Sequence, residues 1–221
     1  YLVKSNFFRI FVLNQTTMKN LITLLIVLTS LNGVSQIDSL TIINYYDTIV
    51  HYGEYSSSAK SHKKFKKDVK IFVKGEKIDY LIEELEKVVS ELNDIISPIN
   101  ISITTNNDES NLLLFLGTRK EFSKINMEFD EHTKGNTQGF GVIYCGRHNN
   151  IYGGEAFVDI GRVKNPIRQK HILREEITQC LGLGNDTYQY DNSIFYQGYS
   201  TVTEYSELDK EIIKMLYNKV D

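Results

Sequence analysis

The 221-residue sequence has no tryptophan, only two cysteines and only two prolines. Each shortage excludes something. Two cysteines cannot build a disulfide framework, so a packed core must carry the stability. The apolar stretch Leu21 to Leu28, broken only by Thr23, falls well short of the roughly 20 residues that a membrane span needs. A net charge of -3 gives no electrostatic footprint for nucleic acid or an anionic membrane, and neither is expected as a partner. Without tryptophan, aromatic packing falls to 14 tyrosines and 11 phenylalanines. A content of 41% hydrophobic and 24% charged residues is that of an ordinary globular chain, and the length suits one domain with at most a short extra segment.

The apolar stretch has a different use. Met18-Lys19-Asn20 supplies a short positive start, and Gly33-Val34-Ser35 supplies a small-x-small cleavage site before Gln36. Residues 18–35 are therefore expected to be a secretory signal peptide, and residues 1–17 to lie upstream of the true start. The mature protein would begin near Gln36, exported to the periplasm or secreted, with no membrane span left after cleavage. In that oxidising compartment the cysteines can pair.

Residues 36–68 read as an irregular lead-in, rich in Tyr, Thr and Ser as far as Ser58. The six lysines between Lys60 and Lys70 suit a phosphate-binding patch or, more simply, a solvated approach to the first strand. Val69 to Val73 alternates apolar and polar residues as a half-buried strand does. From Ile78 to Ile96 the apolar residues recur at helical spacing, and Pro98 ends that helix. Ile101 to Thr105, Leu112 to Leu116, Gly139 to Tyr144 and Ala156 to Ile160 read as four strands, with a short helix at Thr118 to Ile125 and a polar, glycine-rich connection at Gly146 to Glu155. A second long helix is expected from Pro166 to Leu183, and a terminal helix from a capping box at Ser206 to about Tyr217. One mixed sheet flanked by helices, an α+β fold, is the simplest packing of that order.

The chemistry lies in the second long helix. At about 100° per residue, His171, Gln179, Gly182 and Arg168 fall within roughly 40° of Glu175. Leu173, Ile177, Cys180 and Leu181 fall opposite. One face is thus free to converge on a ligand while the other packs on the sheet. Gly182 and Gly184 allow a left-handed turn that swings Asn185 and Asp186 back toward the polar face. Glu175 and Glu176 lie about 100° apart and need not share a site.

This segment resembles the active-site helix of metzincin metalloproteases, which carries H-E-x-x-H-x-x-G-x-x-H/D. Here the same frame reads E-E-x-x-Q-x-x-G-x-x-N-D. Glu175, Gln179 and Asn185 stand in the three metal-ligand positions, with Asp186 as a substitute for Asn185; Glu176 stands in the general-base position and Gly182 in that of the glycine. Asn192 to Tyr196 resembles the Ser-Ile-Met-Tyr turn below the metal in matrixin-type enzymes, with Phe195 in the Met position. The segment is also similar to an uncharacterised bacterial family of the zincin-like clan that shares the Glu-Glu-x-x-Gln pattern. The resemblance covers about residues 69–217. It implies a zincin-like mixed sheet with a long backing helix, an active-site-type helix and a C-terminal helix.

Catalytic zinc sites use three protein ligands, usually His with Glu or Cys. Neutral amide oxygens from Gln179 and Asn185 are poor zinc ligands, and an oxygen-only set suits Ca²⁺ or Mg²⁺ better. His171 with Glu175 forms an alternative i, i+4 pair, or His171 is a hydrogen-bonded residue of the helix surface. Three functions follow. The chain is a non-catalytic peptidase homologue that binds a peptide or protein in the cleft, a metal-dependent hydrolase with Glu176 as general base, or a structural interaction domain whose cleft is closed. Cys145 and Cys180 are read as buried thiols or as a disulfide pair.

Overall fold

The computed structural model describes residues 37–51, 62–132 and 135–218. The expected signal peptide and the stretch before it lie outside the described residues. The chain divides into two units, Tyr1–Asp38 and Ser39–Asp221, and every element below belongs to the second.

The elements run α1 (Ser39–His51), β1 (Lys64–Phe65), β2 (Val69–Gly75), α2 (Asp79–Ile95), β3 (Ile101–Thr104), β4 (Leu112–Gly117), α3 (Arg119–Phe122), α4 (Phe129–His132), β5 (Gly139–Cys145), β6 (Asn150–Asp159), α5 (Pro166–Gln179) and α6 (Glu207–Asn218). The strands form one sheet in the order β1-β6-β4-β2-β3, and β5, off that path, also pairs with β6. All neighbours are parallel except β5, which runs antiparallel to β6. The expected mixed α+β architecture is present. Among the described residues no helix is long and apolar enough to cross a membrane.

One face of the sheet carries a phenylalanine cluster. Phe115, Phe122, Phe129, Phe140 and Phe157 are all buried against one another, and Phe122 stacks on Phe157 with centroids 4.7 Å apart. The capping box of Thr118 and Glu121 starts α3 and so delivers Phe122 to that cluster. The other face carries α5, whose residues from His171 to Thr178 are all buried. Arg174 sits there with no exposure, paired to Glu84 on α2 at 2.7 Å and to Glu91.

Three expectations are corrected. The lead-in is not irregular: α1 spans Ser39–His51, and Tyr45, Tyr46, Ile49 and Val50 form its buried stripe. Tyrosines carry half of that stripe, which is why the segment looked polar. Nor is the glycine-rich connection a loop throughout, because Asn150–Glu155 belongs to β6. His148 and Asn149 take positive φ angles of 61° and 58° at the hairpin turn, and Gly154 sits so close to Val142 O that a Cβ would approach to 2.8 Å. Finally, α5 ends at Gln179 rather than Leu183. Leu181 N–H and Gly182 N–H turn back to the Thr178 and Gln179 carbonyls, and Gly182 takes φ +107°.

Gly182 cannot be replaced without strain. A Cβ there would overlap the Lys63 carbonyl oxygen that leads into β1, and the φ angle is disfavoured for any L side chain. Gly182→Ala is expected to cost at least about 2 kcal/mol, a fall in Tm of about 4–8 °C. Gly184→Ala, which meets nothing within 4 Å, should leave the Tm unchanged. Thermal unfolding followed by circular dichroism distinguishes the two; equal effects would contradict the assignment.

Candidate functional site

The N-terminus of α5 is set by Asn165, whose Oδ1 accepts from Ile167 N–H (2.9 Å), and by Pro166 in the first turn. From there the helix passes behind β5. Arg174 and Glu176 are about 200° apart around the axis, so pinning Arg174 to α2 turns Glu176 toward the sheet. There the sequence has removed the side chains that would block it. A Cβ on Gly139 would overlap Glu176 Oε1, and one on Gly141 would stand 3.1 Å from Oε2. Glu176 lies flush on the backbone of β5.

Glu175 and Glu176 do share a site. Both line one open cavity of about 510 Å³, together with Asp186, Arg168, Tyr196 and Tyr199. Each glutamate is only 7% exposed. Arg168 closes the rim rather than neutralising the floor: its Nη1 donates to Ser200 O (2.9 Å), and its guanidinium lies 5.5 Å from the centroid of the Tyr199 ring. Three carboxylates therefore face the cavity against one guanidinium that is already engaged.

The other predicted residues divide. Gln179 Nε2 donates to Asp186 Oδ1 at 2.7 Å, which ties the helix end to the turn after it. Asn185 does not face the cavity: its Nδ2 donates to Thr48 O (2.8 Å) and its backbone N–H to Ile49 O (3.2 Å), both on α1. The turn at Gly182 thus sends Asp186, not Asn185, back to the polar side. His171 is no surface residue. It is fully buried, with Nδ1 on Val202 O (2.7 Å) and Nε2 at 3.4 Å from Glu175 Oε2.

The residues present do not fit a zinc ion. One ligand position is turned to α1, a second is held in an amide–carboxylate bond, and only Glu175 of the three remains in the cavity. Among the described residues no three His, Cys, Asp or Glu side chains form a group suited to a metal.

Phe195 is fully buried in the turn below the cavity. Ser193 Oγ donates to Asp209 Oδ1 (2.6 Å), while Phe195 N–H donates to Ser193 Oγ (3.0 Å) and Ile194 N–H to Asp209 Oδ2 (3.3 Å). Tyr45 of α1 adds a hydroxyl contact to Ser193 at 2.6 Å. This turn positions Tyr196 at the cavity. Asp209 was visible in the sequence only as a capping residue, and nothing there marked its second role under the turn.

Strand β5 forms the open side of the sheet next to this cavity. Among the described residues it pairs with β6 alone. Asp159 N–H donates to Gln138 O at 2.8 Å, which fixes the alternation of the ladder. Gly139, Gly141 and Ile143 consequently point their N–H and C=O groups away from β6. An antiparallel strand with two glycines, G-F-G, was the signal for this edge, and it was read only as a strand.

The family described as "Protein of unknown function (DUF2927)" matches residues 39–220, and the chain belongs to that family. No curated protein matches it in sequence. Among solved structures, two of myroilysin are similar at 11% identity and a TM-score of 0.44. They cover 72% and 76% of this chain, and the alignments span 83% and 89% of theirs. Archaemetzincin from Methanopyrus kandleri is similar at 12% identity and a TM-score of 0.37, over 74% of this chain and 100% of its own.

The cysteines are not paired. Both are free, Cys145 exposed at the end of β5 and Cys180 fully buried with Sγ 3.5 Å from Glu155 O. Burial, and then the neighbouring Glu176, push the Cys180 thiol well above its ordinary range. Iodoacetamide at pH 8 should modify Cys145 and spare Cys180 until the protein is unfolded. Mass analysis after a short pulse reads this directly, and early modification of Cys180, or the loss of two hydrogens to a disulfide, would contradict it.

Proposed function

We propose that this chain is an exported zincin-type domain that binds extended polypeptide in its cleft and does not hydrolyse it through a metal. The observation that carries the reading is the fate of the ligand positions. Asn185 anchors α1, and Gln179 is bonded to Asp186, so the donors a metalloprotease would aim at one ion are spent on the fold. Metal-assisted hydrolysis needs an ion that lowers the pKa of its water, and the residues lining the cavity around Glu176 include no histidine to hold one.

What remains suits binding. The outward backbone groups of β5 offer a template to which an extended peptide adds as a further strand, with main-chain hydrogen bonds supplying affinity and pockets supplying selectivity. The cavity of Glu175, Glu176 and Asp186 lies against that same edge, because Glu176 rests on Gly139 and Gly141. Export rests on residues 18–35, with their positive start, apolar stretch and small-residue cleavage site.

Elemental analysis of the full chain, purified without chelator, is expected to give less than about 0.1 zinc per molecule. Incubation with a mixed peptide library should give no cleavage products, and Glu176→Gln, which removes one carboxylate of the cavity, should weaken peptide binding without abolishing it. One zinc per chain together with hydrolysis lost in Glu176→Gln would establish the competing reading, a hydrolase with Glu176 as its base. For export, N-terminal sequencing of the protein recovered outside the cytoplasm should begin at Gln36; an uncleaved start at Met18 would remove that part of the proposal.

A further inference from the structure

A second cavity, of about 240 Å³, lies on the opposite face of the same strand. Its walls include Phe140, Val142 and Tyr144 of β5, with Ile125 and Met127 from the segment that overhangs the strand. Alternation along β5 explains the placement. Gly139 and Gly141 face α5 and Glu176, while Phe140 and Val142 face the phenylalanine cluster. The two cavities thus flank one open edge, one below the sheet and one above it.

They differ in chemistry. The first presents three carboxylates. In the second, the one carboxylate drawn from β6, Glu155, is already satisfied: Asn126 Nδ2 donates to it at 3.0 Å and the Tyr144 hydroxyl bonds it as well. Burial, and then Glu155 itself, push the Tyr144 phenol up, so its hydroxyl stays a donor. The walls that Phe140, Val142, Tyr144, Ile125 and Met127 supply are apolar and aromatic, with Met127 87% exposed and Tyr152 65% exposed beside Tyr144. The exposed Glu128 adds a second carboxylate to the lining. An apolar groove beside a strand edge that is unpaired among the described residues calls for an occupant that satisfies both.

We infer that this cavity receives an apolar side chain of the same peptide that adds to β5, so that the ligand is selected with a two-residue period. Side chains at alternate positions are cationic and enter the Glu175–Glu176–Asp186 cavity, and the residue between them is apolar and enters the Phe140–Val142–Tyr144 cavity. The inference rests on the proposed addition of peptide to β5. A strand added to that edge must present successive side chains to opposite faces, and here each face has its own pocket. The volume of about 240 Å³ suits one aliphatic or aromatic side chain rather than a folded partner.

The test uses the full chain and fluorescein-labelled peptides in a serine host, followed by fluorescence polarisation. A Lys-Leu-Lys triplet should bind at least tenfold more tightly than Lys-Ser-Lys, and at least tenfold more tightly than Lys-Lys-Leu, which has the same composition in the wrong period. Met127→Gln, at an exposed position that the fold does not depend on, should weaken Lys-Leu-Lys about threefold and leave Lys-Ser-Lys unchanged. Equal binding of the three triplets would overturn the two-pocket inference while leaving peptide binding in place. Absence of binding by every peptide would overturn both.

Discussion

Arg174 has no exposed surface, and its guanidinium is held between Glu84 and Glu91 of α2 with the ring of Tyr205 4.7 Å from it. Burial works against its charge, but the ring and the two carboxylates more than offset that, and its pKa is raised. Leaving one member of such a buried set unpaired costs about 3–5 kcal/mol, so its geometry is not negotiable. That geometry fixes the rotation of α5 about its own axis. With Arg174 directed at α2, Glu176 must face β5, and only glycine at 139 and 141 leaves room for it. The ion pair on one side of the helix and the bare strand on the other are two ends of one constraint.

A second buried polar set fixes the cavity from below. Asp209 accepts from Ser193, Ile194 N–H and Ser206 N–H, which joins the turn after α5 to the start of α6. Burial pushes its carboxyl up, against the pull of those hydrogen bonds. Tyr45 and Asn185 then tie α1 to the same turn region. The segment expected to be an irregular lead-in is therefore part of what holds the site, and the family match beginning at residue 39 includes it.

How far the sequence could be read follows from where the apolar residues lie. The strands Val69–Gly75 and Leu112–Gly117 and the helices Asp79–Ile95 and Glu207–Asn218 stand where their periodicity put them, because each buries an aliphatic face or stripe. α1 was missed because Tyr45 and Tyr46 do the work of leucines there while Leu40 and Ile43 stand exposed, so its aliphatic residues do not trace one buried stripe. α5 was found, but its environment was not. Amphipathic reasoning predicted one wet face, whereas buried ion pairs and hydrogen bonds let His171, Arg174 and Thr178 sit in the interior. Partners such as Glu84, Val202 and Tyr205 come from distant segments, and no local pattern announces them.

The same distinction governs the site. Spacing brought Asp186 back toward the face of Glu175 and left Glu176 about 100° away, yet all three line one cavity. Spacing also placed Asn185 there, and it fails because a one-residue difference after the left-handed Gly182 exchanges the two sides of the chain. Once Asn185 serves α1, the cavity holds carboxylates in place of a set of neutral ligands around an ion. Carboxylates that share a partly buried space repel one another, and each gains from a cation brought in from outside. A lysine or arginine side chain delivered by a strand on β5 meets that need without any metal. Under the proposed reading, a cleft lined by carboxylates and no histidine favours a cationic side chain over a metal ion.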